Sequence, residues 1–204
     1  ENRNIKIKEV VILTNENYRF IVLEQIDLIK TSLKFKIILE PESRNTAPAL
    51  TLASLASPNS NLVVMPCDHY FKSNRSFSNS AEQAINNIKK NNIFLLGVEP
   101  NSLNTSYGYI RYEGKNEIKK VSSFTEKPNR VLAKKIITEG KCLWNVGIFI
   151  LKSNTWIEAI KKSNKNIFSN VNKSWERKIN DNWFIRPEKK SYMRATNNSI
   201  DYVV

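Results

Sequence analysis

Phe35-Lys-Ile-Ile-Leu-Glu40-Pro-Glu-Ser-Arg44-Asn-Thr46-Ala-Pro48-Ala-Leu-Thr-Leu-Ala-Ser-Leu-Ala56-Ser-Pro-Asn-Ser-Asn61-Leu-Val-Val-Met65-Pro-Cys-Asp68-His69 holds one repeat of the pattern from which the fold is read. Phe35 to Leu39 is an apolar run of strand length. Ala47 to Ala56 reads as a helix of small residues that permit close packing on a sheet, and Asn61 to Met65 as a second strand ended by Pro66. Upstream, Glu9 to Thr14 predicts a buried strand, and Asn17 to Lys30 a helix with Val22, Ile26 and Ile29 at helical spacing. Downstream, Ser80 with Gln83 forms a capping box that predicts a helix to about Lys90, before a strand at Ile93 to Val98. Tyr107 to Tyr112 and Glu117 to Phe124 read as more exposed strands. Asn129 predicts the cap of a helix through Val131, Leu132, Ile136 and Ile137, with Gly140 placed to end it. Leu143 to Leu151 returns to the sheet, and the Lys-rich remainder, with Trp156, Ile160, Trp175 and Trp183, reads as helices. Strands alternating with helices imply an α/β fold with a mostly parallel sheet covered by helices. No repeat, low-complexity tract or linker marks a boundary, so residues 1–204 are expected to be one domain or part of one.

With 204 residues, 41% of them hydrophobic, the chain can bury a real core. Cys67 and Cys142 match no metal or redox spacing, which predicts reduced thiols and no disulfide. The longest apolar runs fall far short of the roughly 20 residues that cross a membrane, and no secretory signal is visible, so a cytoplasmic location without a membrane partner is expected. The chain begins at Glu1 rather than Met, from which we expect either a missing amino terminus or a fragment. The net charge of +13 is spread over scattered pairs such as Lys34 and Lys36, Lys119 and Lys120, or Lys161 and Lys162. Charge so dispersed, with no binding motif, leads us to expect no nucleic-acid partner.

Three segments carry chemistry. Asp68 follows a strand, where open α/β sheets bind ligands, and its carboxylate is a hard ligand suited to Mg²⁺ held against phosphates. From the residues alone, a turn or capping aspartate is the favoured reading. His69, the only histidine, has no serine or cysteine partner in a recognisable setting and is read as structural. The loop from Glu40 to Pro48 can present Arg44, Asn45 and backbone groups to a base or phosphate at a helix start, or be a plain strand-to-helix turn with Thr46 as cap. In Thr125-Glu126-Lys127-Pro128, Glu126 is able to accept from sugar hydroxyls and Lys127 is a compact cation for phosphate, although such a pair before a proline is also common on surfaces.

In order, Leu39-Glu-Pro-Glu-Ser-Arg-Asn-Thr-Ala-Pro-Ala49, Met65-Pro-Cys-Asp-His69, Tyr107-Gly-Tyr-Ile110, Phe124-Thr-Glu-Lys-Pro128, Trp144-Asn-Val-Gly-Ile-Phe149 and Ser199-Ile-Asp-Tyr202 resemble successive blocks of the mannose-1-phosphate guanylyltransferase family of sugar-phosphate nucleotidyltransferases. The resemblance implies a Rossmann-like nucleotidyltransferase fold, an incomplete one here, with a mostly parallel mixed sheet flanked by helices. It implies a reaction between GTP and mannose 1-phosphate with Mg²⁺ as cofactor. Asp68 would be the first of two metal-binding aspartates and, with Lys127, catalytic. Glu40, Pro41, Arg44, Asn45 and Thr46 would meet the nucleotide, while Gly108, Glu126 and Asn145 would meet the sugar.

Departures from the family pattern shape the remaining expectations. The family's glycine-rich loop, carrying an Arg and a Lys, would precede Glu1, and its second metal aspartate would follow Val204. Residues 1–204 are therefore expected to be a partial domain, truncated at both ends relative to the family. Alone they should be inactive, marginally stable and prone to aggregate, with the Glu9 to Thr14 strand partly uncovered. Val146 and Cys67 stand where Ser is usual, and Thr105-Ser106 where Thr-Gly is usual. A related nucleotidyltransferase with another sugar or base, and a non-catalytic remnant, are the alternatives; a homo-oligomer is left open.

Overall fold

The computed structural model describes residues 5–89 and 91–203. The chain divides into two compact units: one runs to Ser60 and resumes at Lys152, the other is Asn61–Leu151. No linker in the sequence announces either crossing.

In the first unit, β1 (Val10–Asn15) and β2 (Phe35–Glu40) run parallel, with Val10 opposite Phe35 and Asn15 opposite Glu40. The sheet continues through β9 (Phe184–Arg186), parallel to β2, to β8 (Ile179–Asp181), antiparallel to β9. Among the described residues β1 is an edge strand, which is why Val10–Asn15 is half-buried rather than buried as expected. Helix α1 (Arg19–Ile29) lays Val22, Leu23 and Ile26 on Ile37, Leu39 and Phe184. Ile29, expected on the same stripe, is 60% exposed, because the helix stops there and Lys30 turns left-handed at φ 46°.

Helix α2 (Thr46–Ala56) buries Ala47, Leu50, Thr51, Leu52, Ser54 and Ala56. Its small side chains admit α5 (Ser153–Ser163) and α6 (Lys165–Glu176) as close neighbours, so it packs chiefly on helices and only secondarily on the sheet. At that junction the Trp156 indole Nε1 donates to Thr51 Oγ1 at 2.9 Å, and the threonine hydroxyl donates to the Ala47 carbonyl at 2.8 Å. Each bond of this kind contributes about 1 kcal/mol, and leaving a buried donor unpaired costs more. The unit closes with α7 (Lys189–Tyr192) and α8 (Ile200–Val203). The β8–β9 hairpin lies where helices were expected: Asp181 pairs with Phe184 across Asn182-Trp183, and Asn182 takes the left-handed φ of 46° that a tight hairpin uses.

In the second unit, β7 (Cys142–Lys152) is the hub of a five-stranded sheet. It pairs antiparallel with β4 (Ile93–Val98) and with β5 (Tyr109–Glu113), neighbours β3 (Asn61–Val64), and β5 pairs antiparallel with β6 (Lys120–Thr125). The α/β class with mixed sheets holds: β2 pairs parallel with β1 and β9 in the first unit, while β7 pairs antiparallel with β4 and β5 in the second. Helix α4 (Arg130–Glu139) is capped by the Asn129 side chain on the Leu132 amide and ends at Gly140, and it packs Ala133 and Ile136 on Tyr109, Cys142 and Trp144. Helix α3 is Asn74–Asn86, with Ser73 rather than Ser80 as cap, accepting from the Ser76 amide. The apolar face begins one turn earlier than the capping-box pattern suggested, because Phe77 packs on Phe71 with ring centroids 4.6 Å apart. Lys90, the expected end of that helix, lies outside the described residues.

Candidate functional site

Within the second unit, Gly108, Glu126 and Asn145 come together through strand pairing. Tyr109 pairs with Thr125 on one side and with Trp144 on the other, so the residues flanking these partners gather at one end of β5. The Asn145 amide donates to the Gly108 carbonyl at 2.8 Å. Glu126 folds over Gly108: a Cβ built there would stand 2.6 Å from Glu126 Oε2 and 2.7 Å from Phe124 Cζ. Only a residue without a Cβ admits this carboxylate. The Glu126 side chain is 14% exposed, and Lys127 Nζ, on a far more exposed side chain, meets Oε1 at 3.4 Å. Lys127 holds φ at 44°, a left-handed conformation adopted just ahead of Pro128, which disfavours the helical alternative.

The Trp144-Asn-Val-Gly147 block has a backbone reason. Gly147 takes φ 66° inside β7, and its N–H donates to Asn145 Oδ1 at 3.1 Å, which fixes the amide side chain. Tyr107 packs its ring on Trp144, centroids 5.1 Å apart. Pro66 Cγ lies 3.7 Å from where a Gly147 Cβ would be, so the turn after β3 passes close to the same part of β7. Asp68 is exposed in that turn. Among the described residues no three His, Cys, Asp or Glu side chains converge. Asp68 is a carboxylate able to hold a divalent ion there. His69 stacks edge-on toward Phe71, which fits the structural reading.

Within the first unit the candidate nucleotide loop leaves β2 at Glu40 and Pro41. The Glu40 carboxyl is pushed above the usual carboxylate range by burial, opposed by a hydrogen bond from the Tyr192 hydroxyl. The same burial, with the Glu40 charge beside it, raises the Tyr192 phenol. Asn45, not Thr46, is the cap of α2: at φ 66° its side chain accepts from the Thr46 amide at 2.9 Å. Thr46 Oγ1 instead accepts from the Ile200 amide at 2.9 Å. The Arg44 guanidinium donates to the Ala195 carbonyl at 2.9 Å and approaches Glu42, so part of it is committed to the chain itself. Tyr192 and Ala195 were not found from sequence; Ile200 falls in the Ser199 to Tyr202 block, to which no role was given.

The chain is thus an α/β protein with a strand-to-helix loop after β2 in one unit and, in the other, Glu126, Lys127 and Asn145 around Gly108. Residues 1–192 match the Nucleotidyl transferase family, and the chain belongs to that family. It is 33% identical over 212 residues to a mannose-1-phosphate guanylyltransferase of Salmonella montevideo, covering 98% of this chain and 44% of the relative. It is 32% identical over 212 residues to a mannose-1-phosphate guanylyltransferase of Escherichia coli (strain K12), covering 98% of this chain and 44% of the relative. The chain therefore spans less than half the length of either relative. Among solved structures, the crystal structure of a mannose-6-phosphate isomerase from Helicobacter pylori superposes with a TM-score of 0.90 at 28% identity, over 97% of this chain and 78% of that one. No helix among the described residues is long and apolar enough to cross a membrane.

Proposed function

We propose that this chain is the nucleotidyl-transfer part of an enzyme that joins GMP from GTP to α-D-mannose 1-phosphate, giving GDP-mannose and pyrophosphate. The observation that carries the reading is the seating of Glu126 over Gly108 beside Asn145, with Lys127 at its edge. A carboxylate accepts from sugar hydroxyls, an amide both donates and accepts, and an exposed ammonium suits the phosphate of the same ligand. The names of the two relatives favour mannose and guanine over other sugars and bases.

In the proposed reaction a phosphate oxygen of mannose 1-phosphate attacks the α-phosphorus of GTP. The bond to the bridging oxygen breaks, and pyrophosphate leaves with the electron pair. The attacking oxygen is already anionic, so no strong general base is needed, in keeping with the structural role read for His69. Catalysis rests on positioning and on neutralising phosphate charge. Lys127 would steady the sugar phosphate, Glu126 and Asn145 would orient the ring, and Glu40 with Pro41, Arg44, Asn45 and Thr46 would hold the nucleotide. Asp68 would hold Mg²⁺, which supplies charge neutralisation at the phosphates when bound. A cytoplasmic location goes with this reading.

Glu126→Ala and Asn145→Ala should each weaken mannose 1-phosphate binding by about 1–3 kcal/mol, the cost of a lost hydrogen bond or of a partner left unpaired, with GTP binding unchanged. Titration calorimetry with each substrate separates the cases. A loss of GTP affinity with sugar-phosphate affinity intact would put these residues in the wrong half of the site.

A further inference from the structure

The candidate nucleotide loop is laced to residues 192–200, a stretch to which the reading above gives no role. Tyr192 donates to Glu40 Oε1. The Arg44 guanidinium donates to the Ala195 carbonyl at 2.9 Å, the Ile200 amide donates to Thr46 Oγ1 at 2.9 Å, and the Ala47 amide donates to the Asn198 carbonyl at 3.2 Å. Asn45, at the centre of the laced segment, holds φ at 66°. Such a conformation is strained in a residue with a Cβ, and it persists only where the surroundings fix it.

We propose that Tyr192 is a positioning residue for the nucleotide: its hydroxyl anchors Glu40, and the segment that follows it holds Arg44, Asn45 and Thr46 in their binding geometry. The proposal rests on the reading of this loop as the nucleotide site. Tyr192 is 0% exposed, so no water replaces its hydroxyl if the hydroxyl is removed. The side chain is buried, and its hydroxyl reaches Glu40 on the loop. A tyrosine that only filled space would lose nothing on conversion to phenylalanine beyond a buried polar atom.

Tyr192→Phe is therefore expected to weaken GTP binding about fivefold to tenfold, the equivalent of one hydrogen bond, without changing mannose 1-phosphate binding. Amide hydrogen exchange at residues 45–47 should quicken in the same variant without any ligand present. Glu40→Gln, which leaves Tyr192 an acceptor, should retain wild-type exchange there. If Tyr192→Phe does not fold, wild-type protein still decides: GTP should slow exchange of the Ala47 and Ile200 amides together, and unchanged exchange at both would overturn the proposal. Unchanged GTP affinity and unchanged exchange in a folded Tyr192→Phe would overturn the role of Tyr192 alone. A wild-type polypeptide of the relatives' full length carrying this chain that binds no guanine nucleotide would overturn the reading of the loop and, with it, the proposal.

Discussion

Asp68→Asn is expected to lower GDP-mannose formation by about a hundredfold or more while leaving the melting temperature within a degree or so of the wild type. The size follows from the kind of interaction removed: charge placed where phosphate charge must be neutralised is usually the largest single term in such catalysis. The neutral effect on stability follows from the place. Asp68 is exposed in the turn beyond β3, and the change removes no packing. The assay belongs in a polypeptide of the relatives' full length, with Mg²⁺ varied. Activity equal to wild type across the Mg²⁺ range would remove Asp68 from the site.

Gly108→Ala should be nearly as damaging, and selectively so. The new methyl would stand 2.6 Å from Glu126 Oε2 and 2.7 Å from Phe124 Cζ, closer than real side chains approach. The carboxylate can swing away more cheaply than the ring, so the substitution evicts Glu126 from the position in which it would meet the sugar. Mannose 1-phosphate affinity should drop by about tenfold or more, and the overpacking should cost about 1–3 kcal/mol of stability. GTP affinity should stay near wild type. Full sugar-phosphate affinity in this variant would show that Glu126 is not the residue that reads the sugar.

The parts of the molecule that could be read from the sequence are those in which a local pattern and its tertiary use coincide. Phe35 to Ala56 was legible as strand, loop and helix to within a residue, because an apolar run and a buried small-residue stripe agree, although the cap is Asn45 where Thr46 was read. The Trp144 to Phe149 block was picked out by resemblance, and the structure supplies a backbone reason for its glycine, the positive φ of Gly147 inside β7. What escaped depends on contacts distant in sequence. The Lys-rich surroundings of Ile179 to Arg186 suggested helix, yet β9 forms because β2 offers it an edge. Tyr192 acts on Glu40 across 152 positions, and nothing near either residue signals the pairing. The two-unit division is silent in the sequence for a related reason: the second crossing, at Leu151–Lys152, falls inside β7, where no linker composition is possible.

Among the described residues β1 is an edge strand, with Val10, Val11, Ile12 and Leu13 half-buried, the kind of apolar edge that sheets normally protect.

The central claim, transfer of GMP to mannose 1-phosphate, is tested most directly by one matrix of assays. A polypeptide of the relatives' full length carrying this chain is incubated with GTP, ATP, UTP or dTTP, each against mannose 1-phosphate and glucose 1-phosphate, with Mg²⁺, and the nucleotide sugar formed is measured. GDP-mannose from GTP and mannose 1-phosphate, well above every other pairing, is the predicted result. Equal or greater product from another base or sugar, or no product from any pairing, would contradict it.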